Sequence, residues 1–152
     1  MTAVIQRVNK ATVYADGILS GSIEKGLYIL VGIGSGDTEL DARALAAKIA
    51  KLRIFSDENG KMNLSCVDIN ADALVVSNFT LMANYAKGNR PDYLDSASPC
   101  VAMPLYELFI ECLKQYINKV ESGVFGSDMR TEMSTDGPVT IVMNSKILLK
   151  KP

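Results

Sequence analysis

The segment Ser77-Asn78-Phe79-Thr80 combines two hydroxyl groups and an amide with the backbone of a predicted strand end. It follows an apolar run typical of a buried strand and then enters a polar loop. Backbone N–H groups that leave a sheet at such a point can converge on a ligand and form an oxyanion hole. Alternatively, Ser77 and Thr80 only satisfy local backbone groups, as serine and threonine often do at strand ends.

The dipeptide Gly137-Pro138, between two predicted strands, is a second candidate. An X-Pro bond reaches the cis form for about 0.5–1 kcal/mol. In that form, consecutive carbonyl oxygens would point in one direction, where they could accept hydrogen bonds from an ammonium group and close one side of a pocket. A plain hairpin turn is the alternative.

Three cations lie at positions that suggest specific contacts. Lys87 and Arg90 share an irregular loop with Tyr85 and Tyr93 on either side, which suits contact with an RNA backbone and stacking on bases. A solvated surface loop is equally compatible with this composition. Arg7 lies in a strand otherwise suited to burial, so it either extends to water or binds carbonyl oxygens with its planar fork.

Composition excludes several kinds of chemistry. The sequence contains no histidine, which rules out Ser-His-Asp and Cys-His catalysis and any zinc site that depends on imidazole. The cysteines Cys66, Cys100 and Cys112 lack close metal-ligand spacing and a base that could activate them, so we interpret them as small buried hydrophobic residues. The glycine-rich residues 32–37 lack the lysine of a phosphate loop and are interpreted as a strand-to-helix turn. We therefore expect neither a metal ion nor a cofactor.

Length, hydropathy and charge limit the number of domains, the cellular location and the partners that we expect. The 152 residues fit one domain, spanning residues 1–152. Apolar runs fall short of the roughly 18 residues of a membrane span, and the first residues lack the pattern of a secretory signal. We expect a cytoplasmic protein without a membrane or DNA partner. A net charge of −1 requires any RNA contact to be local.

The elements that must position these residues can be predicted from hydrophobic periodicity. We expect a hairpin over residues 4–23, a central strand at 27–33 and a further buried strand at 73–77, followed by a long functional loop at 82–98. One helix should follow Thr38, which can form a capping box with Asp41. Another should span about 99–120, with Pro104 near its start and Met103 as a possible first residue. Closing strands are expected at 123–133 and 138–143, separated by a turn.

In order and spacing, these pieces closely resemble the D-aminoacyl-tRNA deacylase family over essentially the whole chain. The matching strings are Ala3-Val4-Ile5-Gln6-Arg7-Val8, Arg53-Ile54-Phe55, Gly60-Lys61-Met62-Asn63-Leu64-Ser65, Lys87-Gly88-Asn89-Arg90-Pro91, Phe125-Gly126, Met129 and Asp136-Gly137-Pro138-Val139-Thr140.

The resemblance implies an α/β fold and a homodimer. The expected domain has three layers, α/β/β, in the order β2-(βα)2-β3 (two strands, two strand-helix units, three strands). Its sheets should be mostly antiparallel and barrel-like, with two main helices. The implied reaction is hydrolysis of the ester bond of D-aminoacyl-tRNA, a form of chiral proofreading, and glycyl-tRNA mischarged on tRNA(Ala) is a further possible substrate.

The resemblance also implies a role for each candidate residue. The catalytic strip would be Ser77, Asn78, Phe79 and Thr80, with backbone N–H groups facing the oxyanion. Gly137 and Pro138 would enter the partner subunit's pocket, where their carbonyls hold the α-amino group and exclude an L side chain, while Arg7 locks this unit. Phe125 and Met129 would line the pocket, and Lys87 and Arg90 would bind the 3′ end of aminoacyl-tRNA.

The chain departs from the family pattern at two positions. The family usually has glutamine in place of Asn78 and asparagine in place of Thr135. Hydrolysis in the family is understood to use an oriented water and the 2′-hydroxyl of the tRNA, with Thr80 as an alternative nucleophile. The competing hypotheses are a catalytically silent dimeric module that binds tRNA ends, a synthetase editing domain, and a small-molecule esterase.

Overall fold

The computed structural model describes residues 1–150, in which eight strands and three α-helices are formed. The strands are β1 (Thr2–Ala15), β2 (Ile18–Ile23), β3 (Gly26–Gly32), β4 (Phe55–Ser56), β5 (Met62–Leu64), β6 (Asp72–Ser77), β7 (Val120–Ser122) and β8 (Met129–Asn144). The helices are α1 (Glu39–Ala50), α2 (Pro99–Lys114) and α3 (Ser145–Leu149), with a 3₁₀ turn at Phe79–Met82. The predicted α/β class is confirmed, and a small β4–β5 hairpin and the short α3 are added to it.

The long strand β1 organises the main sheet. One edge pairs with β8 along almost its full length, and the other pairs with β3 in its first half and β2 in its second half, all antiparallel. Strands β6 and β7 continue from β3 in parallel, giving the order β2-β1-β3-β6-β7. The hydroxyl of Ser20 in β2 donates to the carbonyl of Ser122 in β7 at 2.8 Å. The sheet therefore curls until its outer strands meet, as in a nearly closed barrel.

Apolar residues fill both sides of this curled sheet. Helices α1 and α2 cover one side, where Leu45, Ile49 and Phe109 pack against alternate residues of β1 and β3 such as Ile5 and Ile29. A smaller cluster on the other side lies between the layers of sheet and consists of Val8, Ala11, Val13, Ile23, Tyr28, Leu74 and Val76. This arrangement produces the expected α/β/β layers, because successive side chains of a strand point to opposite faces.

A buried carboxylate fixes the start of α1. As predicted, Asp41 reaches back to the N-cap, where its Oδ2 accepts hydrogen bonds from the N–H of Thr38 at 2.8 Å and its hydroxyl at 2.9 Å. Its Oδ1 accepts from the hydroxyl of Ser145 at 2.7 Å and lies 2.9 Å from Lys146 Nζ. Although burial alone raises the pKa of Asp41, the bonds from Lys146, Ser145 and Thr38 outweigh it and leave the pKa well below 3.8. The same carboxylate thus joins α1 to α3.

Helix α2 begins where its predicted span begins but ends earlier. Its first residue is Pro99 and not the alternative start Met103, so Pro104 lies inside it, in the second turn. Because proline lacks an N–H, the carbonyl of Cys100, four residues earlier, has no partner from Pro104 in the helix. The helix ends at Lys114 rather than near residue 120, since Val120 instead pairs with Ala73 of β6. Within residues 1–150, the structure contains no helix that is both long and apolar enough to cross a bilayer.

The closing segment is one strand rather than the two that the sequence suggested. Strand β8 is interrupted opposite Arg7: between Thr135 and Thr140 it advances five residues while β1 advances two, from Val8 to Gln6. The Gly137-Pro138 unit lies in this bulge and does not reverse the chain. Pairing with β1 on both sides of the bulge explains why the strand continues past it.

Replacing Asp41 by asparagine should lower the free energy of unfolding by about 2 kcal/mol at neutral pH, because the buried carboxylate loses its charge-assisted bonds with Ser145, Thr38 and the half-exposed Lys146. The folded-state pKa lies below the unfolded value of 3.8, so the stabilisation is complete above about pH 4 and is lost as the pH falls further. Urea denaturation at several pH values measures both effects. Glu58→Gln, an exposed acid in the turn between β4 and β5, should change stability by less than about 0.5 kcal/mol. Equal effects of the two substitutions at pH 7 would contradict the assignment.

Candidate active site

A cavity of about 680 Å³ opens where β3 and β6 end, beside the start of α2 and the segment that leads into β8. Five of the predicted site residues line it: Ser77, Asn78, Phe79, Phe125 and Met129. Tyr28, Tyr93, Asp128 and Thr131 also lie on its wall. The structure therefore brings three of the four residues of the predicted catalytic strip together with the predicted pocket-lining residues.

Strand β6 positions the predicted catalytic strip, because the strip begins at the last residue of this strand. It lies between β3 and β7 and pairs with both in parallel, so its buried residues hold it firmly. The N–H of Asn78 donates to the carbonyl of Val31 at 2.8 Å, and the chain then leaves the sheet in the 3₁₀ turn. Ser77 and Phe79 consequently lie at the edge of the sheet, at the mouth of the cavity.

Asn78 organises the turn that follows. Its Oδ1 accepts hydrogen bonds from the N–H of Thr80 at 3.1 Å and from the hydroxyl of Thr80. The Thr80 side chain is exposed and does not belong to the cavity wall. Phe79 is the first residue of the turn, and the first N–H groups of a helix have no acceptor within it. The N–H of Thr80, one of the backbone amides of the predicted catalytic strip, is thus engaged by Asn78 in this structure.

Two tyrosines support the cavity without any clear signal in the sequence: Tyr28 lies on its wall, and Tyr106 packs against the wall residue Phe125. The hydroxyl of Tyr106 in α2 donates to the carbonyl of Val75 at 3.0 Å, and its ring packs on Phe125 with centroids 5.8 Å apart. The Tyr28 hydroxyl forms a 3.0 Å hydrogen bond with that of Thr131. Burial raises the pKa of both phenols, so both stay neutral near pH 7. They act as hydrogen-bonding groups rather than as bases.

The thiols offer no alternative nucleophile in the cavity. Cys66 is buried away from the cavity, and this burial raises the pKa of its thiol to about 12. Cys112 is buried as expected, whereas Cys100 is exposed, which corrects the prediction that all three are buried. Cys100 is the second residue of α2, so no preceding turn of the helix covers its side chain.

Arg7 uses its planar fork, the second of the two alternatives that the sequence left open. Its Nη1 donates to the carbonyl of Ile54 at 2.6 Å and its Nε to the carbonyl of Asp136 at 3.0 Å. The Asp136 carboxylate also lies 3.1 Å from Nε. Arg7 thereby ties the bulge of β8 to the segment that precedes β4.

Besides Thr80 and Arg7, four further predicted site residues do not line this cavity. Gly137 and Pro138, whose peptide bond is cis, are exposed and do not line the cavity of their own chain. Lys87 and Arg90 are exposed on the loop at 83–98 and do not line it either. An edge-to-face contact between Phe79 and Tyr93, with ring centroids 5.0 Å apart, connects this loop to the cavity mouth.

Bacterial proteins named D-aminoacyl-tRNA deacylase are similar to this chain over nearly its whole length. The D-aminoacyl-tRNA deacylase of Thermosipho melanesiensis is 52% identical over 147 residues, covering 96% of this chain and 98% of that protein. That of Dictyoglomus turgidum is 51% identical over 152 residues, covering 100% of this chain and 97% of that protein.

Solved structures with the same fold include one titled c-Myc DNA Unwinding Element Binding Protein, with a TM-score of 0.89 and 37% identity over 95% of this chain and 98% of that one. A probable eukaryotic D-amino acid tRNA deacylase, at 15% identity, shares the fold with a TM-score of 0.83 over 95% of this chain and 100% of that one. The family model described as D-Tyr-tRNA(Tyr) deacylase matches residues 4–144. The chain therefore belongs to the D-Tyr-tRNA(Tyr) deacylase family.

Proposed function

We propose that this protein hydrolyses the ester bond of D-aminoacyl-tRNA and releases the free D-amino acid and the tRNA. The observation that carries the proposal is the strip Ser77-Asn78-Phe79, which a buried strand holds at the mouth of a cavity large enough for an aminoacyl nucleoside. Family membership and relatives that are about half identical over nearly the whole chain support the same reaction.

The Phe79 N–H is the oxyanion donor in this proposal. Asn78 already occupies the Thr80 N–H, so the Asn78 side chain is assigned to fixing the turn and not to direct contact with the reacting atoms. One such donor contributes about 3 kcal/mol to the transition state. An aminoacyl ester is an activated acyl compound, so an oriented water and the neighbouring 2′-hydroxyl of the terminal ribose suffice without a histidine.

Chiral selection is assigned to Gly137 and Pro138 of a partner subunit in a homodimer. Both are exposed and lie outside the cavity of their own chain, which leaves them free to enter another. Arg7 holds the preceding residue through two groups, the carbonyl and the carboxylate of Asp136. A Cβ built at Gly137 would clash with the backbone N of Val139, so no side chain fits there. Rigid carbonyl oxygens at this position would hold the substrate's ammonium group and block an L side chain.

The exposed Lys87 and Arg90 are assigned to phosphates near the 3′ end of the tRNA. Local cations on one loop suit a protein whose net charge is −1, since the rest of its surface would not attract RNA. Free thiols in Cys66, Cys100 and Cys112 are compatible with work in the reducing cytoplasm. Glycyl-tRNA has no side chain that Gly137 and Pro138 could block, so it is a further proposed substrate.

Purified protein should hydrolyse D-Tyr-tRNA at a rate well above spontaneous hydrolysis and leave L-Tyr-tRNA intact. Release of labelled tyrosine over time measures both reactions. The silent binding module of the same fold makes the opposite prediction: it would bind the tRNA, detectable by filter retention, and release no tyrosine. That result would refute the proposed activity.

Thr80→Ala should reduce kcat by at most about tenfold, because the hydroxyl's hydrogen bond to Asn78 is worth about 1 kcal/mol. A substrate that ends in 2′-deoxyadenosine should be nearly inert with the unchanged protein. Single-turnover kinetics on both would measure the two effects. If Thr80 were a covalent nucleophile, its removal would cost on the order of 10⁴-fold or more and the 2′-hydroxyl would matter little.

Pro138→Ala should relax the preference for D over L substrates by about tenfold or more, since each 1.4 kcal/mol of discrimination corresponds to a factor of ten. The proline ring fixes the backbone φ and so holds the carbonyl oxygens rigidly. Arg7→Lys, which keeps the charge but loses the fork, should act in the same direction. The ratio of kcat/KM for D-Tyr-tRNA and L-Tyr-tRNA is the readout, with Lys10→Gln as an exposed control on the same strand. An unchanged ratio in Pro138→Ala would count against chiral selection by Gly137 and Pro138.

A further inference from the structure

Two exposed aromatic rings stand at the mouth of the cavity. The side chain of Phe79 is 59% exposed and that of Tyr93 is 37% exposed, although both line the cavity. Their centroids lie 5.0 Å apart with an interplanar angle of 74°. In this edge-to-face arrangement one ring supports the other and leaves a ring face open to solvent. Phe79 and Tyr93 are called the rim pair below.

The backbone on both sides of the rim pair is held in place. Phe79 follows the Asn78 N–H bond to Val31 and lies in the turn closed by the Leu81 N–H bond to Asn78. The carbonyl of Tyr93 accepts from the N–H of Ser96 at 3.0 Å. A reciprocal pair of 2.9 Å bonds between Asn84 and Asp92 closes the loop just before Tyr93. Exposed rings on a fixed backbone lose little conformational freedom when they bind a flat partner.

The size of the cavity decides which part of the substrate meets the rim pair. A space of about 680 Å³ matches one drug-sized group, here the amino acid and the nucleoside that carries it. The preceding nucleotide would then lie outside the cavity, where the exposed rings of Phe79 and Tyr93 are accessible to it. Nucleotides at an unpaired RNA end have open base faces, which proteins commonly bind by stacking on aromatic side chains.

We propose that the rim pair is a stacking platform for the base of the nucleotide that precedes the esterified terminal adenosine. The inference rests on the proposed deacylase function and deepens it, because it assigns a site for substrate RNA beyond the reacting nucleoside. Lys87 and Arg90 lie on the same loop as Tyr93, so the loop offers cations for the phosphates and a ring for the base. Stacking requires only the flat face of a base, so the rim pair could bind the base without base-specific hydrogen bonds.

The test compares D-Tyr-tRNA that carries either cytidine or an abasic ribose at the penultimate position, together with the minimal ester D-tyrosyl-adenosine. For the unchanged protein, loss of the base should lower kcat/KM roughly 5- to 150-fold, the range that stacking of one base supports. Tyr93→Leu should lower kcat/KM for the cytidine substrate by a similar factor. It should then show almost no further loss with the abasic substrate, and its loss on D-tyrosyl-adenosine should be smaller than its loss on the cytidine substrate.

Three variants control for other causes. Tyr93→Phe keeps the ring and should retain the advantage of cytidine over the abasic ribose, whereas Phe79→Leu keeps the backbone N–H but loses a ring and should reduce that advantage. Leu94→Ala removes a neighbouring apolar side chain that is 86% exposed and should leave it unchanged. A full cytidine advantage in both Tyr93→Leu and Phe79→Leu would overturn the platform. Hydrolysis of D-tyrosyl-adenosine without any base effect would overturn the platform alone, and failure to hydrolyse any of the substrates would overturn the proposed function as well.

Discussion

The contacts of Arg7 with Asp136 and Ile54 constrain the part of the molecule on which the proposed chiral selection depends. Strand β8 pairs with β1 along its length, and a bulge in such a ladder leaves backbone groups without partners. Arg7 satisfies one of these groups from the facing strand and adds an ion pair to the Asp136 carboxylate. Its Nη1 donates to the carbonyl of Ile54 and holds the segment before β4. A guanidinium group suits this task because its donors form a rigid planar fork, which an ammonium group lacks.

The cavity depends on a second constraint, the burial of β6 between two parallel neighbours. A strand paired on both edges and packed on both faces has little freedom to shift, so the point at which Ser77 leaves the sheet is fixed. Asn78 then uses its amide oxygen to shape the following turn. Apart from the exposed carboxylate of Asp128 on the wall, the groups offered to a ligand are therefore backbone N–H groups, neutral hydroxyls and apolar side chains. Such a site suits the hydrolysis of an already activated ester, where orientation and oxyanion stabilisation replace a strong base.

In the proposed complex, recognition is divided between rigid and local elements. The substrate's ammonium group would meet main-chain oxygens from the partner subunit, whereas the RNA would meet two loop cations and two aromatic rings. This division allows a chain with a net charge of −1 to bind a polyanion through single cations: Lys87 and Arg90 share their loop with Asp92 and Asp95, so each contact would be local, within the roughly 8–10 Å over which a charge acts at physiological salt. It also separates selection of the amino acid from binding of the tRNA.

The sequence by itself determined the fold family, the β1–β2 hairpin, the central β3, the capping of α1 by Asp41 and the strip that lines the cavity. These features follow from local periodicity, turn residues and strings of matching residues, all of which are properties of short segments. Only the tertiary structure decided that α2 ends at Lys114, because Val120 pairs with β6. It also decided that residues 129–144 form one bulged strand, because β1 pairs on both sides of the interruption. The Tyr28–Thr131 and Phe79–Tyr93 contacts join residues far apart in the chain, and no local pattern encodes which distant side chain will lie opposite.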